Sequence, residues 1–497
     1  MQNSKLVRIL KKFSQEEITS LKQFMGTPYF VKRVSLRDFA FAILNEYPKF
    51  DSRVLDEEVL YKVLYPGQEF QSKTILRLMT EMIANVNEFL VLENFLKDKE
   101  DHGPRLMEEL RKKNLGFELK SMATKIADKI ESGKKDQQHF YQLMRFENEL
   151  GIYYNQSKEH EGYSQHLQNR ANALDTFYIS TKLRIVCEMF NRQNIFSVEY
   201  EISILDAILE YVERNIQKSE NQSSVNIYYR ILFTLTNPSD EENYFKLIDL
   251  LDKAENDFSS EELKEMYTFA MNYCIKQLNN GRVEYESHLF RLYCKLIETG
   301  LIYENNYISQ WDFKNIIATS LRLSEMEWTE DFINSNKDKI TPAFKDVSYH
   351  FNLANLYYEK GEFVSAVKTL HQFDDALKKV SDPDFDDTFY NLDSRSMFIK
   401  IYYESKEDDT LRATIETFRS YLVRNKKISD SRRKNYLNLL KYTKKLSDQR
   451  QRLMYRSNKR TTKVNINKLK NEINSDKKII NLSWLQARVE ELEKEVG

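Results

Sequence analysis

The 497-residue sequence predicts an all-α fold: a right-handed α-solenoid of irregular helical hairpins with helical caps at both ends. Three observations predict it. Gly and Pro are scarce, at 11 and 7 residues, whereas sheet-rich folds need frequent turns. Apolar residues recur at i, i+3, i+4 and i+7 along most of the chain, the spacing of one helix face. Short apolar trios with that spacing return every 36 to 48 residues between 186 and 402. A core is affordable in material terms, since 30 Tyr and 30 Phe accompany 30% charged residues, a mixture no disordered chain carries.

In chain order, Ser14 and Glu17 have the S-x-x-E spacing of a capping box, and Ile18, Leu21 and Phe24 form the stripe that follows. That helix ends near Gly26, because Pro28 disfavours helix in the residue before it. Ser35 is placed to cap a helix through Leu44, and 56–64 reads as a short helix ended by Pro66 and Gly67. A long helix over 72–96 carries Ile75, Leu78, Met82, Val86, Phe89 and Leu90 on one side. Gly103 and Pro104 interrupt the pattern, and residues 1–102 are read as an N-terminal helical cap domain. The solenoid proper spans 103–425, helix after helix joined by short polar connections such as 132–133, 237–238 and 279–281. Residues 426–497 form a basic helical region with a capping helix at 484–496. Ser483 and Gln486 again have capping-box spacing there, and Leu485, Val489, Leu492 and Val496 follow at heptad intervals, a run short enough to favour a docked cap over a coiled coil.

The best-formed hairpin is 347–377. Leu353, Ala354 and Tyr357 share one face, Gly361 supplies the turn, and Phe363, Ala366 and Leu370 share the next face. At these residues the run resembles a tetratricopeptide repeat, with His350 at the tryptophan-like position and no closing proline. Related trios are Val186, Cys187 and Phe190; Phe269, Ala270 and Tyr273; Ile317, Ala318 and Leu321; and Phe398, Ile399 and Tyr402, with a poorer one ending at Tyr229. Their spacing exceeds the tetratricopeptide period of about 34, so they are degenerate copies. The chain also loosely resembles a group of uncharacterised helical-repeat proteins common in Bacteroidetes. The landmarks are Gly26, Thr27, Pro28, Tyr29 and Phe30 (Thr27 stands where that group has Ser); Leu64, Tyr65, Pro66 and Gly67; and Arg424, Asn425, Lys426 and Lys427. That resemblance implies fold and not function.

By the tetratricopeptide resemblance, the first helix of each pair lines a concave surface. Its inward positions are Phe351, Asn352, Asn355 and Tyr358, and one repeat later Ser396, Lys400 and Tyr403. Such a set suits an extended peptide: amides for its backbone, aromatic area, and a cation for a carboxylate. The other reading of Tyr358 and Tyr403 is packing against neighbouring helices.

Catalytic signatures are absent. The sequence has no GxGxxG, GxxxxGK[ST] or GxSxG. His160 and His166 are six apart beside Glu161, which sets them about 120° off one another on a helix, and the segment is read as a solvated loop. Asp382, Asp384, Asp386 and Asp387 lack a calcium loop's glycine and are read as an inter-repeat turn. Cys187, Cys274 and Cys294 are far apart and read as core residues. The expectation is a non-enzyme with no cofactor and no metal. With no signal-peptide-like start and no run of ~20 apolar residues, the expectation is a cytoplasmic protein without an integral membrane segment.

One charge anomaly stands out. Between 424 and 470 there are 17 Lys or Arg and two acids, Asp430 and Asp448, in a chain whose net charge is −1. Three readings follow: a solvated face that balances or docks on the acidic remainder, contact with nucleic acid, or contact with another anionic surface. Arg432, Arg433, Lys434, Lys441, Lys444 and Lys445 are the candidate anion contacts. The leading function is a protein or peptide scaffold using the concave face. The alternative is a nucleic-acid-associated protein using the basic stretch.

Overall fold

The computed structural model describes residues 1, 4–51, 55–97, 102–195, 198–215, 223–380, 388–455, 459–476 and 478–496. Among these every regular element is helical and none is a strand. The aspartates at 382–387 lie outside the described residues. Contacts divide the chain into two compact units, Met1–Lys182 and Leu183–Gly497.

The first unit holds α1 (Lys5–Leu10), α2 (Gln15–Gly26), α3 (Val34–Leu44), α4 (Glu57–Leu64), α5 (Ser72–Lys97), α6 (His102–Lys112), α7 (Gly116–Glu131), α8 (Gln137–Gln156) and the start of α9 (His160–Ile195). Ser14 closes both arms of its capping box: its hydroxyl accepts from the Glu17 N–H at 3.2 Å, and its own N–H donates to the Glu17 carboxylate at 2.7 Å. Helices α1 to α5 bury one core that runs from Leu6 to Phe89 and includes Ile75, Leu78, Met82 and Val86 of α5. Arg33 fastens α3 to α5 with bonds of 2.9 Å to both carboxylate oxygens of Glu81. A second core, around Met107, Leu119, Phe146 and Leu150, joins α6, α7 and α8.

Three local expectations change here. Ser35 does not cap α3; Arg33 stands at that position, and the Ser35 hydroxyl accepts from its Nε at 2.9 Å. Gly103 and Pro104 do not break a helix but open α6, where a first-turn proline loses no hydrogen bond. Residues 160–162 are not a loop but the first turn of α9. A Cβ on Gly162 would stand 2.8 Å from the Tyr154 ring, so the glycine lets α9 close on α8. His166 is held there by Glu147, Nδ1 to Oε2 at 2.6 Å, and stacks on Tyr154.

The second unit holds the rest of α9, then α10 (Leu205–Asn215), α11 (Ser223–Thr236), α12 (Glu241–Lys253), α13 (Ser260–Asn279), α14 (Tyr285–Glu298), α15 (Gln310–Arg322), α16 (Met326–Asn336), α17 (Lys345–Glu359), α18 (Phe363–Leu377), α19 (Thr388–Glu404), α20 (Asp408–Arg424), α21 (Asp430–Met454), α22 (Lys459–Ser475) and α23 (Leu482–Val496). From α10 on, each helix packs against the next. Alternate helices also meet: α11 with α13, α15 with α17, α17 with α19, and α19 with α21. Gly361, at φ +75°, turns α17 into α18, and Ala354 and Ala366 are fully buried where the two helices approach. Helix α23 lays Leu485, Val489, Leu492 and Val496 into a core shared with α19 to α22. It begins at Leu482, so Ser483 lies inside its first turn instead of capping it.

Candidate functional site

Three alternate helices of the second unit turn one face each toward a common cavity of about 330 Å³. Helix α15 brings Lys314, Ala318 and Leu321; α17 brings Phe351, Asn352 and Asn355; α19 brings Asp393, Ser396, Met397 and Lys400. The spacings along each are one, three, four or seven residues, so each set stays on one side of its helix. Asn481, just before α23, closes one side.

The polar groups of the cavity differ in how far they are engaged. Asn352 donates to the Ser348 carbonyl at 2.8 Å and Asn355 to the Phe351 carbonyl at 3.0 Å, both within α17. Each amide uses one N–H this way. Ser396 likewise donates to the Leu392 carbonyl at 2.9 Å. Lys314 is paired, its Nζ 2.7 Å from Asp393 Oδ2 and 5.1 Å from the centre of the Phe351 ring. Arg322 is paired to Glu286.

Lys400 is the exception. Its Nζ lies 4.2 Å from the centre of the Tyr358 ring, and no described carboxylate forms an ion pair with it. Burial holds its pKa below the ordinary lysine value, against the opposing fields of Glu359, Glu404 and Asp393. An ammonium in this state gains from any ligand oxygen that reaches it, because its own hydration is already partly lost.

The cavity therefore gathers Phe351, Asn352, Asn355, Ser396 and Lys400 from the residues the sequence nominated. Tyr358 does not line it but supplies the ring beneath Lys400. Tyr403 does not reach it. Its ring is buried between the Arg450 guanidinium, 4.2 Å from the ring centre, and the edge of Trp484 at 5.4 Å. The reason is α23, whose first turns dock on α19: Trp484 Nε1 donates to Glu404 at 2.7 Å and Arg488 at 2.9 Å. Lys314, Asp393 and Asn481 join the cavity without having been nominated. For Lys314 a signal existed. Shifting the α17 positions back by 37 residues places Lys314 on Phe351 and Ala318 on Asn355; the trio match used a shift of 36. One residue is 100° of helix, so the alanine taken as a packing residue lines the cavity.

The basic stretch forms α21 and α22, and carboxylates of neighbouring helices meet much of it. Arg450 is buried, with Nη2 2.8 Å from Asp408 of α20. Lys445 pairs with Glu472, and Lys470 bonds Glu493 of α23 at 2.7 Å. Arg433 is a structural clamp: Nε donates to the Leu422 carbonyl at 2.9 Å and Nη2 to those of Ile428 at 2.9 Å and Asn425 at 3.2 Å, closing the end of α20. Lys444 stands 3.8 Å from Glu416, and Lys441 lies over the Tyr442 ring at 4.7 Å. Arg432 and Lys434 are exposed.

Among the described residues no group of three or more His, Cys, Asp or Glu is placed to hold a metal. No described helix is long and apolar enough to cross a membrane. Burial pushes the thiols of Cys274 and Cys294 up to about 11, away from the range of reactive cysteines. No protein-family model matches the chain, and no curated protein sequence matches it.

Proposed function

We propose that this chain is a non-enzymatic, cytoplasmic interaction scaffold. Its second unit is a right-handed α-solenoid of tetratricopeptide-like hairpins, and it binds an extended peptide or protein segment across α15, α17 and α19. The observation that carries this reading is the shared cavity: three alternate helices turn faces to it, with free amide capacity on α17 and, on α19, an ammonium that has no ion pair among the described residues. A peptide backbone would bond to Asn352 and Asn355, and a ligand carboxylate would pair with Lys400.

The test is binding of the full chain to an array of extended peptides, followed by Lys400→Met and Asn355→Ala. Peptides bearing a carboxylate are expected to bind, to lose about tenfold in affinity with either variant, and to leave the fold intact. Selected peptides whose affinity ignores both substitutions would sink the reading.

The nucleic-acid alternative rests on exposed Arg432, Lys434 and Lys441. Arg433 and Lys445, already engaged within the chain, weaken it. It predicts RNA or DNA affinity that falls steeply with salt and is lost when Arg432, Lys434 and Lys441 are neutralised. Absence of polynucleotide binding at low salt removes it.

A further inference from the structure

We propose that the first unit carries a separate ligand site, a cleft between α6, α8 and α9 that binds a small organic anion with an apolar body. The cleft measures about 550 Å³, within the roughly 300–1,000 Å³ of small-molecule sites. Half of its lining is apolar: Pro104 from α6, Met144 from α8, and Leu167, Ala171 and Leu174 from α9. The last three stand at i, i+4 and i+7, so one strip of α9 faces the cleft. Leu167 and Leu174 remain 40% and 48% exposed, which leaves hydrated apolar surface for a ligand to cover.

The polar groups decide the sign of the ligand's charge. Two carboxylates line the cleft, and both are engaged. Glu149 accepts from Arg111 Nε at 2.8 Å and from Asn148 Nδ2 at 3.2 Å, and Glu108 pairs with Lys112 at 2.8 Å. Asn148 has its other end fixed too, because its Oδ1 accepts from Arg170 at 2.7 Å. The chain Arg111, Glu149, Asn148 and Arg170 thus orients the Arg170 guanidinium. No described carboxylate pairs with Arg170, and Asn148 occupies one of its N–H groups. Arg145 also lines the cleft, but it is itself engaged within the chain, 5.7 Å from the centre of the Tyr141 ring, so the ligand's head is assigned to Arg170. A cleft that sets a planar, positioned cation beside an apolar strip matches a ligand with a carboxylate head, which accepts two parallel N–H bonds from guanidinium, and an apolar body. This site shares no residue with the cavity of the second unit, so the two readings stand or fall separately.

The experiment uses the full chain, with octanoate as probe and octanol as its neutral counterpart, read by ligand-observed saturation-transfer NMR and calorimetry. Octanoate is expected to bind saturably, and octanol about tenfold more weakly or worse. Arg170→Met keeps an apolar stem and removes the charge, and should lower octanoate affinity about tenfold. Ala171→Trp fills the cleft from an exposed position and should abolish binding of both probes. Circular dichroism checks that each variant is folded. The proposal is overturned if neither probe binds at millimolar concentration, if the two bind alike, or if Arg170→Met or Ala171→Trp leaves octanoate affinity unchanged.

Discussion

The α21–α22 region and the cavity of α15, α17 and α19 handle positive charge in opposite ways. The first is rich in cations, yet Arg450, Lys445, Lys470 and Arg433 are each matched by a carboxylate or by carbonyls from a neighbouring element. The cavity holds three cations, Lys314, Arg322 and Lys400, and while the first two are paired, Lys400 has no ion-pair partner among the described residues. A count of charges along a sequence reports how much charge is present. Whether any of it is open to a ligand depends on what the next helix places opposite.

Loss of a matched cation should be costly. Arg450→Met should destabilise the second unit by about 1–3 kcal/mol, because it takes the paired cation from Asp408, which keeps its bond from Ser447, and leaves the Tyr403 carbonyl without its donor. Urea denaturation measures it, and a loss under 1 kcal/mol would show the pair to be dispensable. The pH dependence follows from Asp408. Burial pushes its carboxyl up, but hydrogen bonds from Ser447, Arg450 and Gln451 outweigh that and leave its pKa below the usual carboxylate range. Its contribution is therefore complete above the unfolded value of about 3.9 and is lost as pH falls through the folded one. Arg450→Met should flatten that acid limb.

A smaller effect is expected at the turn that sets the α17 face. Gly361→Ala should cost roughly 1–2 kcal/mol, since its φ of +75° strains an L residue although no atom within 4 Å obstructs the methyl group. Thermal denaturation reads it, and a neutral result would mean the turn relaxes.

Removing the unmatched cation should act with the reverse sign. Lys400 is easier to charge in the unfolded chain, so at neutral pH Lys400→Met is expected to be slightly more stable than the native protein while losing peptide affinity. As pH rises from the lowered folded pKa to the ordinary value of about 10.4, the native chain gains on the variant and the gap closes. A variant less stable than the native protein at neutral pH would mean that Lys400 has a stabilising partner after all. The smallest effect belongs to the exposed cations: Lys434→Gln and Lys441→Gln should shift stability by no more than about 0.5 kcal/mol. A larger loss in chemical denaturation would place them in the matched set.

Much of the secondary structure was legible because its causes are local. The Ser14 and Glu17 capping box, the apolar stripe of the long α5 helix and the positive φ at Gly361 all follow from neighbouring residues. Two of the failures share one physical source. Leu90 was assigned to the buried stripe of α5 but is 41% exposed, and Ala318 was assigned to packing but lines the cavity. A position on a helix is right or wrong by 100° per residue, and a degenerate repeat does not fix its own register. His160 and Gly162 were read as loop because glycine disfavours helix, whereas here it removes a clash with Tyr154.

By itself the sequence determined that the chain is helical, where the 347–377 hairpin turns, and which residues of its first helix and of the next hairpin's first helix were worth watching. Tertiary structure alone decided which of those residues share a space. Lys400 and Asn355 meet in one cavity because α17 and α19 pack as neighbours. Tyr403 is withdrawn because α23, some eighty residues downstream, folds Trp484 onto it. Arg433 is withdrawn because it closes the end of α20. Helix propensity and periodicity act over a few residues and can be read along the chain. Pairing of charges and coverage of rings act between elements distant in sequence, and only the packed fold assigns those partners.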